Sequence, residues 1–239
     1  MNKLTQFFRG WKAFDYIFCT AGVICPIVSA VIFNSSVWQC LSTILVIIYC
    51  FFSAKGIYFA NIIGLASGLM YAYVAFAAHL YGEVIILLCV ALPLTIASIF
   101  TWHKNKQKNK HDNHMVTVAK VGFKEIILVI ISQIIMGVGY YFILQAFNTE
   151  SLVLSTISMA TSVVGYYFTV RRCEYAFWAY IANGLVLLVL YSILSVSDTA
   201  YIAVLLMPVF TLISDAYGTI NWAKLKKEQR QTGKEFQIN

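Results

Sequence analysis

Eight long runs of apolar residues, separated by short polar stretches, dominate the pattern along the chain. They cover residues 16–33, 37–54, 57–80, 84–102, 125–147, 152–170, 174–195 and 200–222. Each run is close to the roughly 20 residues that an α-helix needs to cross the hydrocarbon core of a bilayer. The pattern therefore predicts an all-α integral membrane protein with eight transmembrane helices.

The amino-acid composition supports this class and excludes a soluble domain. Hydrophobic residues make up 60% of the chain and charged residues 11%, against about 25% charged residues in a typical soluble domain. The mean hydropathy is +0.77. Basic residues in the N-terminal segment precede the first apolar run without a small-residue cleavage site, so we expect an uncleaved first helix rather than a signal peptide.

The motifs of several other protein classes are missing from the sequence. The six cysteines lie mostly inside apolar runs, with no C-x-x-C motif and no cysteine–histidine pair at zinc spacing. No G-x-x-x-x-G-K-[ST] motif occurs, and the acidic residues are scattered rather than clustered. We therefore expect no metal, no cofactor and no enzymatic activity.

The basic residues fix the predicted topology. With eight spans, all 17 lysines and arginines fall on one side of the membrane, and the other side carries only Glu83, Glu150 and Asp198. The positive-inside rule then predicts a multi-pass protein of the cell inner membrane with both termini in the cytoplasm. We interpret the basic loop at residues 103–124 and the basic tail as solvated topology determinants rather than as sites for nucleic acid or anionic lipid.

The two halves of the chain share a weak internal repeat. Leu-Ser-Thr-Ile at 41–44 recurs at 154–157, Tyr-Phe-Ala-Asn at 58–61 is answered by Tyr-Ile-Ala-Asn at 180–183, and Leu92-Pro93 is answered by Met207-Pro208. Three spans, one connecting span and three further spans give both halves the same orientation. This arrangement predicts a parallel repeat with the substrate near the midplane, between the halves.

The repeat divides the chain into five parts. Residues 1–36 form a basic segment and the first helix, 37–102 the first three-helix repeat, and 103–147 the basic loop and connecting helix. Residues 148–222 form the second three-helix repeat and 223–239 the tail. Trp102 and Trp222 end corresponding runs at the basic side, where we expect them to act as interfacial anchors.

Candidate site residues are the polar and aromatic side chains inside the central runs. An amide in hydrocarbon needs a hydrogen-bond partner, either on a neighbouring helix or on a ligand. For Asn61 both interpretations stay open. The seventh run offers two faces, one with Tyr180, Asn183 and Tyr191 and the other with Tyr175 and Trp178. Further candidates are Tyr58, Tyr71, Gln133 and the intramembrane acid Asp215.

Several marks occur in the order typical of one transporter family. They are Asn61, the turn at 81–83, Pro93, Trp102, the Arg-x-x-Glu sequence at 171–174 before Tyr175 and Trp178, and Gly218-x-x-x-Trp222. From residue 37 to the tail the chain resembles the PnuC family of bacterial vitamin transporters, typified by import of nicotinamide riboside and distantly similar to SWEET sugar transporters. The family's amide on the seventh helix falls one residue later here, at Asn183, and its amide after the fourth-helix proline is replaced by Thr95.

The resemblance implies uptake of a nucleoside-like vitamin precursor, most simply nicotinamide riboside, by facilitated diffusion. Phosphorylation by a separate cytoplasmic kinase would then trap the substrate. The alternative is a transporter of the same fold for thiamine, riboflavin, a deoxynucleoside or a sugar, because a fold does not fix a function. The expected partners are the small-molecule substrate and the lipid bilayer, with a homo-oligomer as a possible assembly and no nucleic acid.

Overall fold

The computed structural model describes residues 11–77, 84–85, 87–106, 115–148 and 151–231. Within them lie eight helices that are long and apolar enough to cross a membrane. They are α1 (Ala13–Ile32), α2 (Val37–Lys55), α3 (Ala60–Ala77), α4 (Leu92–Lys104, which spans together with the preceding turn), α5 (Phe123–Ala146), α6 (Leu152–Val170), α7 (Tyr175–Ser197) and α8 (Ile202–Gln231). A π-helical turn, Leu87–Ala91, leads into α4. The predicted fold class is confirmed.

Most helix bounds follow the apolar runs, with two differences of consequence. α3 begins only at Ala60 because Gly56, in the left-handed conformation at φ 77°, ends α2 and the chain then turns. α8 continues past Trp222 to Gln231, so the second repeat and the start of the predicted tail share one helix. The predicted turn at 81–83 and the acid Glu150 lie outside the described residues.

Six of the helices form a closed ring. Within the first repeat α2 packs on α3 and α3 on α4, and within the second α6 packs on α7 and α7 on α8. The repeats meet at two seams, α2 against α8 and α4 against α6. The central helices of the two repeats, α3 and α7, therefore face each other across the ring.

The remaining two helices lie outside the ring. α5 packs against α6, and α1 covers the seam between α2 and α8. A buried ion pair holds α1 in place, with Lys55 Nζ 2.6 Å from Asp15 Oδ2 and side chains only 8% and 2% exposed. The same ammonium group lies 4.8 Å from the centroid of the Trp11 ring, a cation–π contact that further compensates its burial.

One end of the bundle, here called the basic face, carries Lys55, Lys104, Arg171 and Arg172 at or beside helix ends. An extended segment at 115–119 crosses this face. Its backbone N–H groups at Val116 and Ala119 donate to the carbonyls of Gly56 (2.8 Å) and Arg172 (2.9 Å), which follow the first helix of each repeat. The segment is buried between the repeats, so this part of the predicted loop at 103–124 is not solvated.

The Arg172 side chain contributes to the same crossing. Its guanidinium is 2% exposed and donates to the carbonyl of Thr117 at 3.2 Å. Burial, and secondly the positive charge of Arg171, lower the pKa of Arg172 to about 10. The C-terminal end of α8 also contacts this segment, because the Gln229 side-chain oxygen accepts a hydrogen bond from the Val118 N–H at 2.9 Å.

The two tryptophans that we expected to anchor at the membrane interface lie inside the protein instead, each 1% exposed. Trp102 Nε1, in the first repeat, donates to the carbonyl of Thr169 in the second at 2.8 Å. Trp222 Nε1, in the second repeat, donates to the carbonyl of Ser53 in the first at 3.0 Å. The centroids of the two indole rings are 5.5 Å apart. The anchor interpretation is corrected: the indoles bind the repeats to each other.

We expect the Asp15–Lys55 pair to be essential to the stability of α1 packing. Asp15→Leu leaves a buried ammonium without its carboxylate and should lower the free energy of unfolding by about 3–5 kcal/mol. The double variant Asp15→Leu/Lys55→Met removes both charges and should recover most of that loss. Denaturant unfolding of the purified protein in mixed micelles measures both.

The matched control is Arg171→Met, which removes one partner of a pair that is far more exposed, at 24% for Arg171 and 26% for Glu125. Pairs of that exposure contribute up to about 1 kcal/mol. A loss in Arg171→Met as large as that in Asp15→Leu would contradict the importance of burial at the Asp15–Lys55 pair.

Candidate functional site

A cavity of about 180 Å³ lies inside the ring. All six ring helices line it, and neither α1 nor α5 contributes. The lining residues are Val46, Tyr49, Cys50, Ser53, Gly64, Ser67, Gly68, Tyr71, Leu87, Ala91, Leu92, Thr95, Ser158, Met159, Ser162, Tyr166, Phe177, Tyr180, Asn183, Gly184, Leu187, Met207, Thr211 and Asp215. The cavity is therefore at the interface between the repeats, where the sequence predicted a site.

Aromatic rings form much of the wall. Tyr49, Tyr166, Phe177 and Tyr180 all line the cavity. The Tyr166 and Tyr180 rings meet edge to face with centroids 5.9 Å apart, and the Tyr180 hydroxyl bonds the Thr169 hydroxyl at 2.9 Å. Such rings present flat faces with fixed orientations, which suits a planar ligand.

Two glycines make room for two of these rings. A Cβ atom at Gly64 would lie 2.7 Å from the Tyr49 ring, and a Cβ atom at Gly165 would clash with the Tyr180 ring. Counted from the equivalent turns at Gly56 and Arg172, Tyr49 corresponds to Gly165 and Gly64 to Tyr180. The repeats thus exchange tyrosine for glycine, and the cavity wall is asymmetric although the helices are arranged symmetrically.

Asn183 is the best-placed amide. Its Oδ1 accepts from the Ser158 hydroxyl at 2.8 Å and from the Thr161 hydroxyl at 3.3 Å. Among the described residues no acceptor faces its Nδ2. Two hydroxyls therefore orient the carboxamide and leave its NH₂ group for a ligand in the cavity.

The two ends of the cavity are closed differently. Towards the basic face lie Phe177, Trp102 and Trp222, which pack in one cluster with Val116 and Val118 of the crossing segment. Towards the opposite face the hydroxyls of Tyr71 and Tyr191 are hydrogen-bonded across the ring, from α3 to α7. The Tyr191 side chain is 2% exposed and packs with Val204 and Met207.

The structure brings five of the predicted site residues to the cavity wall, namely Tyr71, Thr95, Tyr180, Asn183 and Asp215. Tyr191 does not line the cavity, but its hydroxyl is hydrogen-bonded to that of the lining residue Tyr71. Thr95 already donates its hydroxyl proton to the carbonyl of Ala91 at 2.8 Å, close to where Pro93 interrupts the helical bonding pattern. Its oxygen remains able to accept.

Asn61 does not line the cavity. It is the second residue of α3, near the basic face, is fully buried, and neither amide atom has a hydrogen-bond partner among the described residues. Asn183 lies about two turns inside α7. The two amides therefore lie at different depths, and, counted from the turns, Asn183 corresponds to Ser67 rather than to Asn61.

The other predicted residues also lie away from the cavity. Trp178 and Tyr175 face outward, with side chains 59% and 37% exposed, because they occupy a different face of α7 from Tyr180 and Asn183. Tyr58 packs against the tryptophan cluster at the basic face. Gln133 lies on α5, outside the ring, and donates to the Met136 sulfur at 3.8 Å.

Sequence reasoning missed Tyr49, Tyr166 and Phe177 as lining residues. Nothing local distinguishes them from other aromatics of the apolar runs. For Tyr49 a usable signal was its pairing with Gly165 at the matching place of the other repeat, which emerges only when the turns at 56 and 172 are aligned. No cluster of histidine, cysteine or acidic residues able to hold a metal occurs in the described parts of the chain.

Comparison with known proteins is consistent with this geometry. The family model described as nicotinamide mononucleotide transporter matches residues 36–224. The chain is 24% identical to the nicotinamide riboside transporter PnuC of Neisseria mucosa, over 93% of this chain and 85% of that protein. It is 25% identical to the protein of the same name from Haemophilus influenzae, over 93% and 95%.

A solved structure supports the fold. The crystal structure of the vitamin B3 transporter PnuC is similar, with a TM-score of 0.82 and 23% sequence identity, over 93% of this chain and 96% of that one. The resemblance stated from the sequence is confirmed, as is the expectation of a transporter rather than an enzyme. The chain belongs to the nicotinamide mononucleotide transporter family.

Proposed function

We propose that this protein carries nicotinamide riboside across the cell inner membrane by facilitated diffusion. The observation that carries the proposal is the cavity between the repeats, with its aromatic wall and the Asn183 amide aimed at its interior. Both relatives described above are named as nicotinamide riboside transporters, which supports the choice of substrate.

The wall suits both parts of such a molecule. The flat nicotinamide ring packs against tyrosine and phenylalanine rings, and the Asn183 NH₂ group donates to a carbonyl or hydroxyl oxygen of the ligand. The hydroxyls of Ser67, Ser162 and Thr211 also line the cavity and complement ribose hydroxyls. The proposal does not depend on Asn61, Tyr58, Gln133, Tyr175 or Trp178, which do not line the cavity.

A second candidate function is transport of thiamine, riboflavin, a deoxynucleoside or a sugar by the same fold. The observation that favours it is the character of the wall, since rings and hydroxyls accommodate many planar or hydroxylated solutes. Binding of each solute to the purified protein distinguishes the two candidates.

The proposed orientation places the basic face and both termini in the cytoplasm. Transport then requires the aromatic cluster at the basic face and the Tyr71–Tyr191 bond at the opposite face to open alternately, as one repeat rocks against the other. A separate cytoplasmic kinase makes net uptake possible by phosphorylating the arriving substrate.

The orientation can be tested by cysteine labelling. In a background without native cysteines, Lys104→Cys at the end of α4 and Asp198→Cys at the end of α7 are predicted to lie on opposite sides of the membrane. A membrane-impermeant maleimide added to intact cells should label Asp198→Cys and spare Lys104→Cys until the cells are opened. Labelling of both from outside would refute the orientation and the parallel repeat.

The role of Asn183 can be tested by substitution. Asn183→Leu removes the donor and should weaken nicotinamide riboside binding roughly tenfold or more, since one good contact is worth about 1.4 kcal/mol. Titration calorimetry of the purified protein measures this, with the melting temperature as the check on folding. Normal binding with a lowered melting temperature would make the amide structural.

Trp178→Ala provides the comparison on the other face of α7. The indole is largely exposed on the outer surface, so binding within twofold of wild type is expected. A tenfold loss would bring the indole into the site and contradict a site confined to the cavity.

The energetics of transport can be tested in liposomes. At zero membrane potential, an inward proton or sodium gradient should produce no accumulation of nicotinamide riboside, while counterflow proceeds and is insensitive to an ionophore that collapses both gradients. Facilitated diffusion only equalises concentrations across the membrane. Accumulation driven by either gradient, without a kinase in the lumen, would overturn the mechanism.

A further inference from the structure

One side chain of the cavity wall is set apart by its charge. Asp215 is the only charged residue among the described residues that line the cavity. Its side chain is 3% exposed, and it lies on α8 about two turns from Trp222, at the end of the cavity near the basic face. No cationic side chain among the described lining residues could neutralise it.

The carboxylate also lacks a partner elsewhere in the described part of the chain. The basic side chains at the basic face have other partners: Lys55 pairs with Asp15, Arg171 with Glu125 and Lys226 with Glu174. The buried Arg172 donates to the carbonyl of Thr117. No described residue donates a hydrogen bond to the Asp215 carboxylate. Burying an ionised carboxylate without a counter-charge is costly, so the charged form of Asp215 is favoured only where a ligand supplies the missing positive charge.

The surroundings of Asp215 specify what kind of ligand fills it. Phe177 and Tyr49 line the same cavity, and Asp215 is close enough to Tyr49 and Cys50 to act on them electrostatically. Aromatic faces attract cations placed over them, and more strongly where water is excluded. A carboxylate and several aromatic faces together suit a planar ring that carries a positive charge.

We propose that Asp215 sets the charge selectivity of the transporter, so that the cavity prefers a cationic aromatic ring to a neutral ring of the same shape. The inference rests on the proposed function for its first probe, since the nicotinamide ring of the riboside is a pyridinium cation. The shared chemistry is wider, because the thiazolium ring of thiamine is also a planar cation.

The experiment compares two ligands that differ almost only in the charge of the ring, and adds thiamine as a second cation. Nicotinamide riboside, its dihydro form with a neutral ring, and thiamine are titrated against the full-length purified protein in detergent. For the wild type we expect nicotinamide riboside to bind at least tenfold more tightly than its dihydro form. In Asp215→Asn, which keeps the shape and removes the charge, that ratio should fall to within about twofold of unity.

Two further variants guard against a merely structural effect. Asp215→Glu retains the carboxylate and should retain a preference for the cation, whatever its affinity. Ser214→Ala alters the adjacent position, which is buried but outside the cavity lining, and should leave the ratio unchanged. Should Asp215→Asn fail to fold, the Asp215→Glu and wild-type ratios still decide the matter, because loss of preference in Asp215→Glu or its absence in wild type overturns the proposal.

The outcomes separate this inference from the proposed function. If the wild type binds thiamine and not nicotinamide riboside, with affinity lost in Asp215→Asn, the charge selectivity stands and the proposed substrate falls. If the wild type binds nicotinamide riboside and its dihydro form equally, the substrate stands and the role of Asp215 is refuted. Preferential binding of a neutral solute such as riboflavin or a hexose refutes both.

Discussion

The two reciprocal tryptophan hydrogen bonds are the constraint on which the rest of the structure depends. A membrane interior offers no water to an unpaired N–H group, so each buried indole must find an acceptor within the protein. Trp102 finds it on the first helix of the second repeat and Trp222 on the first helix of the first repeat. Both indoles therefore bring the third helix of one half against the first helix of the other, and the ring of six helices closes.

The closed ring explains where the candidate site lies. Once the repeats are joined at the basic face, Phe177 and the segment at 115–119 fill the space between them, and the cavity begins immediately beyond this cluster. The Tyr71–Tyr191 bond closes the other end. A site with one aromatic cluster at each end and helices of both repeats along its sides is what rocking of two repeats can expose to either face in turn.

An asymmetric ligand needs an asymmetric wall, and two near-identical repeats do not provide one by symmetry. The exchange of tyrosine and glycine between the repeats resolves this, because Tyr49 fills space on one side and Tyr180 fills it on the other. Asn183 occupies the position that corresponds to Ser67. Only the second repeat contributes an acidic side chain, Asp215, to the described wall. The repeat provides the symmetry of the ring, and the departures from it provide the chemistry of the cavity wall.

The sequence by itself determined the class, the eight spans, the order of three, one and three helices and the family, because apolar length, the distribution of lysine and arginine, and short motifs are local properties. It also indicated Tyr180, Asn183 and Asp215. The tertiary structure alone decided which faces meet. Trp178 and Tyr180 are both aromatic residues of α7, yet they point about 200° apart, and Tyr180 turns inward because Gly165 admits its ring. Asn61 is the fifth residue of its apolar run, but the turn after Gly56 delays the start of α3 to Ala60 and leaves the amide at the second position of the helix. The phase of a helix and its point of origin are set by packing against neighbours distant in the chain, which no local pattern encodes.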